Sequence, residues 1–197
     1  MNTHGVDKGR RRVLVAATSV VGAIGAGFVA VPFISSMNPS AKARAAGAAV
    51  QADVSKLEPG ALLRVEWRGQ PIWVVSRTDA MLEALPTNDP KLTDPESLVP
   101  QQPDYCQNPT RSIKPPYFVA IGICTHLGCS PTYRPEVAPD DLGPEWKGGW
   151  FCPCHGSKFD LAGRVFKGVP APTNLVIPKH TYLNETTILI GEDEGAA

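Results

Sequence analysis

The hydrophobic pattern begins with an uninterrupted apolar run near the amino terminus. From residue 13 to residue 34 the chain contains no charged side chain. These 22 residues, at ~1.5 Å each, make about 33 Å of α-helix, which is enough to cross a bilayer core of about 30 Å. Basic residues at positions 8, 10, 11 and 12 precede the run and favour the cytoplasmic side. The pattern predicts a cytoplasmic N-terminus over residues 1–12 and a transmembrane anchor helix over residues 13–36.

The same segment is also typical of an export signal. Residues 10–14, Arg-Arg-Arg-Val-Leu, match a twin-arginine signal. A cleaved signal peptide would explain the small-x-small triplets at residues 41–43 and 43–45, but its apolar core is usually about 7–15 residues long. A buried core helix would need a polar face, which this run lacks. We therefore favour a retained anchor.

An alanine-rich segment follows the apolar run. Residues 38–53 could reach about 50 Å if extended, and much less if they formed a helix. We predict a flexible hinge over residues 37–53, with a passive spacer as the alternative.

The pattern then changes to the alternation typical of β-strands, over residues 54–197. Apolar Leu63, Val65 and Trp67 alternate with their neighbours, and residues 72–75 return after a turn at 68–71 as the second strand of a hairpin. Thr78 is a candidate N-cap for a short helix over residues 79–85. The prolines of residues 88–116 predict a long loop. Further strands are predicted at residues 117–123, 148–151, 175–177, 181–183 and 187–190.

Composition narrows the classes of protein that this chain can represent. The 197 residues suit one domain with an appendage, and the 20 prolines favour a loop-rich β domain over a helical bundle. The charges balance at 19 basic and 19 acidic residues, so no electrostatic argument points to nucleic acid as a partner. The periodicity alone predicts a mainly β fold, either a small antiparallel barrel or a sandwich.

Two predicted strands lead into short boxes of metal-ligating residues. The first box has the sequence Cys-Thr-His-Leu-Gly-Cys over residues 124–129, and the second Cys-Pro-Cys-His-Gly-Ser over residues 152–157. They offer four sulfurs and two imidazoles, two more than a structural zinc ion takes. A binuclear cluster with two cysteine and two histidine ligands, and the spare cysteines joined as a disulfide, would use all six. That ligand set is typical of a Rieske [2Fe–2S] centre.

The boxes, together with Lys-Phe-Asp at residues 158–160 and Gly-Val-Pro-Ala-Pro at residues 168–172, resemble the Rieske iron–sulfur subunit of a bacterial cytochrome bc1 complex. The resemblance implies a head of three antiparallel sheets, with an inserted cluster-binding subdomain over about residues 120–172. By the same resemblance Cys124 and Cys152 bind one iron and His126 and His155 the other, in a single [2Fe–2S] cluster, while Cys129 and Cys154 form a disulfide.

Several other residues acquire roles through this resemblance. Ser157 corresponds to a serine whose hydroxyl points at a bridging sulfide. Phe159 stands where many relatives have a tyrosine that bonds a ligand cysteine, which predicts a lower reduction potential here. Leu127 and Gly156 are also assigned to tuning of the cluster. The stretch that contains Gly168, Pro170 and Pro172 is expected to be a stiff loop that shields the cluster from water.

The function that the resemblance implies is electron transfer in the respiratory chain. The subunit would oxidise quinol by coupled electron and proton uptake, with His126 and His155 as quinol contact and proton acceptor. It would pass the electron to cytochrome c1. Implied partners are the cytochrome b and cytochrome c1 subunits, ubiquinol and the membrane, within a dimeric complex. The chain would cross the bacterial inner membrane once, with its head in the periplasm, where a disulfide persists.

Three other functions are compatible with parts of the pattern. The Rieske subunit of another periplasmic oxidoreductase, such as an arsenite oxidase, can share the export signal and the disulfide. A Rieske ferredoxin or oxygenase domain usually lacks the second cysteine pair and an anchor. A zinc ribbon leaves two ligands unexplained. Outside the boxes, we interpret Cys106 as a free thiol without function, and His180 and His4 as surface residues.

Overall fold

The computed structural model describes residues 5, 7–41, 43 and 47–193 of the chain, so His4 lies outside the described residues. The chain divides into two compact units, residues 1–45 and 46–197.

The first unit contains helix α1, Lys8–Ser36. The helix begins before the predicted residue 13 because the Asp7 side chain accepts hydrogen bonds from the backbone N–H groups of Gly9 and Arg10, which satisfies donors that a helix start leaves free. None of its residues is buried, and its apolar part has a mean hydropathy of 2.1. Within the described residues it is the one helix long and apolar enough to cross a membrane.

The predicted hinge is described only in part, since residues 42 and 44–46 lie outside the described residues, as do parts of both small-x-small triplets. Residues 50–53, which the sequence assigns to the hinge, form strand β1, Val50–Asp53. This strand pairs antiparallel with the last strand of the chain, from Val50 opposite Ile190 to Asp53 opposite Thr187. The Ala52 side chain is buried by this pairing, which fixes the entry of the chain into the head.

The head is built from three antiparallel three-stranded sheets, as the resemblance implies. Their orders are β1-β9-β8, β2-β3-β4 and β5-β6-β7. Helix α2, Asp79–Asn88, follows β3 and is capped by the Thr78 hydroxyl, which accepts a hydrogen bond from Met81 N–H. Two short 3₁₀ helices lie at Asp89–Lys91 and Asp104–Cys106. The remaining strands are β2 (Leu62–Trp67), β3 (Gln70–Ser76), β4 (Tyr117–Ile121), β5 (Thr132–Arg134), β6 (Gly149–Phe151), β7 (Lys158–Asp160), β8 (His180–Asn184) and β9 (Thr187–Ile190).

Strand β3 is the centre of the head because it is buried on both faces. Ile72 and Val74 pack with the sheet that contains β1, β8 and β9, whereas Trp73 and Val75 face the core that contains Cys124 and Cys152. The Trp73 ring lies parallel to the Trp150 ring of β6, with 5.5 Å between the ring centroids. Strands β4 and β6 lead into the two boxes, and the first cysteine of each box is buried in this core. The core therefore packs against both boxes.

The structure corrects one strand prediction and contains two strands that the sequence did not predict. Residues 175–177 form no strand, although Leu175 and Ile177 are buried. Their backbone is held by separate hydrogen bonds, from Ile121 N–H to Val176 O and from Ile177 N–H to Gln101 O, and these do not build a ladder. Strands β5 and β7 were not predicted, since three residues are too few to show an alternating pattern.

Candidate metal centre

The two boxes fold into loops with the same hydrogen-bond pattern. In the first, Cys124 N–H donates to Cys129 O and Gly128 N–H donates to Cys124 O. In the second, Cys152 N–H donates to Ser157 O and Gly156 N–H donates to Cys152 O. Each loop thus begins at a cysteine and closes on the residue five positions later.

The fifth residue of each box has a backbone conformation that suits glycine. Gly128 has φ +83° and Gly156 has φ +76°, in the left-handed region that side chains with a Cβ rarely adopt. No atom would crowd a Cβ at either position, so the requirement comes from the turn itself. This turn is what allows each box to reverse direction within six residues.

The loops bring the four candidate ligands together at one end of the head. Cys124 and Cys152 are buried free thiols, and their side chains are close enough to share a hydrogen bond. The imidazole rings of His126 and His155 lie edge to face, with 4.8 Å between their centroids. His155 is exposed and His126 is half-buried. The structure therefore has the two thiols on the protein side and the two imidazoles toward solvent.

The disulfide implied by the resemblance, between Cys129 and Cys154, is present, and the two Cα atoms lie 6.7 Å apart. The Cys152 sulfur and the two disulfide sulfurs lie within 4.8 Å of one another. That trio is not a metal site, because a metal is bound by thiolates and disulfide sulfurs are not thiolates. The disulfide instead links the first loop to the second beside the candidate ligands.

The environment of Cys152 fits a metal-bound thiolate. Burial raises the pKa of the Cys152 thiol, whereas the backbone N–H groups of Cys154 and His155 act to lower that pKa. Donors aimed at a buried sulfur favour its charged form, which is the form that ligates iron. Two adjacent thiols and two adjacent imidazoles are also the donor set of a Rieske centre. The residues present thus fit a [2Fe–2S] cluster with Cys124, Cys152, His126 and His155 as its candidate ligands.

A third loop, residues 168–172, packs against both boxes, and we call it the proline loop. Ala171 is buried in the core that contains Cys124 and Cys152, and Val169 packs against that core. Ala171 N–H donates a 3.0 Å hydrogen bond to Ser157 Oγ, which ties the loop to the second box. Thr125 Oγ1 donates to Thr173 O, which ties it to the first. Gly168, Pro170 and Pro172 are exposed on its outer side.

The residues assigned to cluster tuning differ in their surroundings. Ser157 is buried, and since its oxygen accepts from Ala171 N–H, its own proton remains free to point elsewhere. Phe159 is buried in β7 within the core that contains both ligand thiols. Leu127 is 71% exposed, so it lies on the surface between His126 and the disulfide cysteine of the first loop. Their roles in tuning stay predictions.

Phe159 offers a direct test of tuning by a hydrogen bond. We expect the variant Phe159→Tyr to have a higher midpoint potential, because a hydroxyl that donates to a ligand sulfur stabilises the more negative, reduced state. A hydrogen bond to a charged group is worth about 1.5–3 kcal/mol, which sets an upper limit of roughly 130 mV for one electron. Redox titration followed by EPR measures the shift. An unchanged or lower potential would contradict this assignment of Phe159.

Of two residues outside the boxes, His180 contradicts the interpretation made from the sequence and Cys106 agrees with it. His180 is not a surface residue: it is 1% exposed, its backbone pairs in β8 with Ile190, and Tyr105 Oη bonds its backbone. Its burial lowers the pKa of the imidazole. Cys106 is a free thiol as expected, and it is fully buried in the same core as Cys124. Burial raises the pKa of the Cys106 thiol to about 11.

A buried ionic network behind the second box was missed from the sequence. Asp160, at the end of β7, accepts hydrogen bonds from the backbone N–H groups of Ala162 and Arg164 and from the Arg164 side chain. Both side chains are buried, and the Arg164 guanidinium also bonds Leu85 O. The four-residue spacing of Asp160 and Arg164 was visible, but nothing local showed that both would be buried.

Comparison with known proteins gives two family matches. Residues 99–181 match the family described as "Rieske [2Fe-2S] domain", and residues 1–40 match "Ubiquitinol-cytochrome C reductase Fe-S subunit TAT signal". The "Ubiquinol-cytochrome c reductase iron-sulfur subunit" of Allochromatium vinosum is 78% identical over 197 residues, which are 100% of this chain and 95% of the relative. The protein of the same name from Blastochloris viridis is 42% identical over 184 residues, 92% of each chain.

Among solved structures, a chain of "Hyperthermophilic respiratory Complex III" is 25% identical, with a TM-score of 0.48 over 90% of this chain and 98% of that one.

Proposed function

Because this chain belongs to the family of Rieske iron–sulfur subunits of ubiquinol–cytochrome c reductase, we propose that it oxidises quinol and passes the electron to a c-type haem. The family carries a single [2Fe–2S] cluster, and the chain is a component of the oxidoreductase known as the cytochrome bc1 complex. The proposal adds the quinol as electron donor, cytochrome c1 as acceptor, and cytochrome b as the partner that holds the quinol. The observation that carries it is the pair of adjacent imidazoles on the solvent side of two buried thiols.

The cluster, when bound, supplies a carrier for one electron at a time. Cys124 and Cys152 hold one iron in this proposal, and their burial excludes water from that side of the site. His126 and His155 hold the other iron. Neutral imidazoles in place of anionic thiolates remove negative charge from this side, which favours electron uptake.

The two histidines also account for the proton that accompanies the electron. Each imidazole has one nitrogen for iron and a second nitrogen that is free to hold a proton. When that second nitrogen carries no proton, a hydroxyl of quinol can donate a hydrogen bond to it and then transfer its proton to it. We assign this contact to His155, since its side chain is exposed whereas His126 is half-buried.

The anchor supports a membrane location for the subunit. Helix α1 has the length and hydropathy of a membrane span, and residues 1–40 match a family of twin-arginine signals. We propose that the chain crosses the bacterial inner membrane once, with residues 1–12 in the cytoplasm and the head in the periplasm. The basic residues before the apolar run favour this orientation.

The experiment that tests the proposed function compares native membranes with and without this chain. Quinol is added, and the reduction of c-type haem is followed by absorbance. We expect haem reduction by quinol to be lost without the chain and restored by it, while ascorbate still reduces the haem in both membranes. Continued haem reduction by quinol in the deleted strain would refute the proposal. If the strain without the chain also loses the ability to oxidise arsenite, the chain belongs to the alternative oxidoreductase instead.

The hinge makes a separate prediction about turnover. If the head moves between quinol and haem, prolines at Ala43 and Ala48 should restrict the linking segment and lower quinol-dependent haem reduction by roughly tenfold. The EPR signal of the cluster should remain at full intensity, because both positions lie outside the described strands of the head. The matched control is Glu58→Pro, at an exposed position of the turn before β2. Unchanged turnover in the hinge variant would make the segment a passive spacer.

A further inference from the structure

The two ends of the proline loop lie close together at its base. We call the residues that meet there, 163–165 and 174–175, the neck. Val165 precedes the loop and Asn174 follows it, and Val165 N–H donates a 2.8 Å hydrogen bond to Asn174 Oδ1. Further from the loop, Leu175 N–H donates to Gly163 O. The eight-residue excursion between Val165 and Asn174 is therefore closed at its base by contacts that involve neither box.

Both polar atoms of the Asn174 side-chain amide, Oδ1 and Nδ2, make hydrogen bonds at this neck. Its amide is 1% exposed, and while Oδ1 accepts from Val165, Nδ2 donates to Asp94 O at 3.0 Å and to Ser97 Oγ at 3.2 Å. One side chain thus joins the two ends of the proline loop to the long segment between α2 and β4. Because the amide is buried, breaking these contacts would leave polar groups without partners.

The Arg111 side chain also joins the two strands of chain that form the neck. Its guanidinium is fully buried and donates to Ala162 O and Gly163 O before the loop, and to Leu175 O after it. A fourth bond, to Gln102 Oε1, anchors the guanidinium to the same long segment that Asn174 contacts. Asn174 lies in the neck, whereas Arg111 lies in the long segment, so the closure joins parts of the chain that are distant in sequence and is a tertiary feature.

The neck is connected to the candidate metal centre through Ala171. The Ala171 N–H group bonds Ser157 Oγ and so determines where the serine hydroxyl can point. If the neck opened, Ala171 would be free to move away, and the hydroxyl of Ser157 would lose its fixed orientation beside the buried thiols.

We propose that Asn174, together with Arg111, is a positioning residue that holds the proline loop closed over the cluster. The inference goes beyond the function proposed above, since it concerns the loop and the cluster and involves neither quinol nor cytochrome.

The test replaces Asn174 by alanine in the full, cluster-loaded chain within its complex. Amide hydrogen exchange is measured by mass spectrometry for a peptide that covers residues 168–173 and for one from β3 and β4. Loss of the three contacts of Asn174 should accelerate exchange in the loop at least tenfold, a factor that corresponds to about 1.4 kcal/mol. Exchange in β3 and β4 should be unchanged. The midpoint potential of the cluster should fall, because Ser157 no longer presents a fixed hydroxyl.

Two further variants keep the test decisive. Ser97→Ala removes one partner of Asn174 and leaves the amide in place, so it should accelerate exchange in the same peptide by a smaller factor, roughly threefold. Asn184→Ala removes an exposed asparagine at the end of β8 and should change neither exchange in the loop nor the potential. Equal acceleration in the loop and in β3 and β4 would show a general loss of stability and overturn the proposal. Unchanged exchange in the loop peptide of both Asn174→Ala and Ser97→Ala would overturn the proposal as well. So would an unchanged midpoint potential in a variant whose loop peptide exchanges faster.

Discussion

Replacing Cys152 by alanine is expected to remove the [2Fe–2S] cluster completely. The thiol is buried beside that of Cys124 and is one of four candidate ligands, so its loss leaves the iron site one ligand short. We expect the iron content to fall from two per chain to none, together with the EPR signal of the reduced protein. Iron and acid-labile sulfide analysis of freshly prepared membranes measures the loss.

Cys106 offers a matched control for this prediction. Cys106→Ala also removes a fully buried free thiol from the same core, so it carries the same kind of packing cost. It should retain two irons and an unchanged EPR spectrum. If both variants lost the cluster, the effect of Cys152→Ala would come from packing. If Cys152→Ala kept its iron, the ligand assignment itself would be wrong.

The features that could be predicted from the sequence are those whose signal is local. Each box places its possible ligands within six consecutive residues, so the metal chemistry is visible without any knowledge of the fold. The hairpin of β2 and β3 is local as well, since Trp67 and Gln70 pair across a two-residue turn. The anchor depends only on the length and hydropathy of one helix.

The features that were missed depend on partners far along the chain. Strand β1, Val-Gln-Ala-Asp, continues an alanine-rich segment typical of a linker, and it becomes a strand because β9, more than 130 residues later, pairs with it. His180 follows a proline and a lysine and was interpreted as a surface residue, yet the Tyr105 side chain and β9 bury it. Residues 175–177 show the opposite error, because their apolar side chains face the core while their backbone makes only separate hydrogen bonds that build no ladder.

The same reasoning explains why the ligands were easier to propose than the groups that support them. Asn174 and Arg111 carry no pattern that marks them, and 62 residues separate them in the chain. Their importance comes from buried carbonyl and amide groups that must be satisfied where three segments meet. The residue type of a ligand shows its chemistry directly. The role of a supporting residue depends on the hydrogen-bond partners that the fold brings to it, and the sequence does not show these partners.

Removal of the disulfide is expected to have the second large effect, on stability. The bond between Cys129 and Cys154 closes a loop with a sequence separation of 25 residues, and such a constraint lowers the entropy of the unfolded chain. The chain-entropy relation gives roughly 3.5 kcal/mol for a loop of this size. For a domain of about 150 residues, that loss corresponds to a decrease of about 10 °C in the temperature of unfolding.

The double variant Cys129→Ala with Cys154→Ala tests this without leaving a reactive thiol. The candidate ligands Cys124, His126, Cys152 and His155 all remain, so the variant should still bind two irons at low temperature, unlike Cys152→Ala. Heating the full chain in detergent while the visible circular dichroism of the cluster is recorded gives the temperature at which the site is lost. We expect this temperature to be about 10 °C lower than in the unaltered protein, whereas Cys106→Ala, which lacks a thiol but keeps the disulfide, should lose less. Equal temperatures in the two variants would mean that the three loops are held in place by the contacts of Ala171, Thr125 and the neck of the proline loop, and that the disulfide adds little to them.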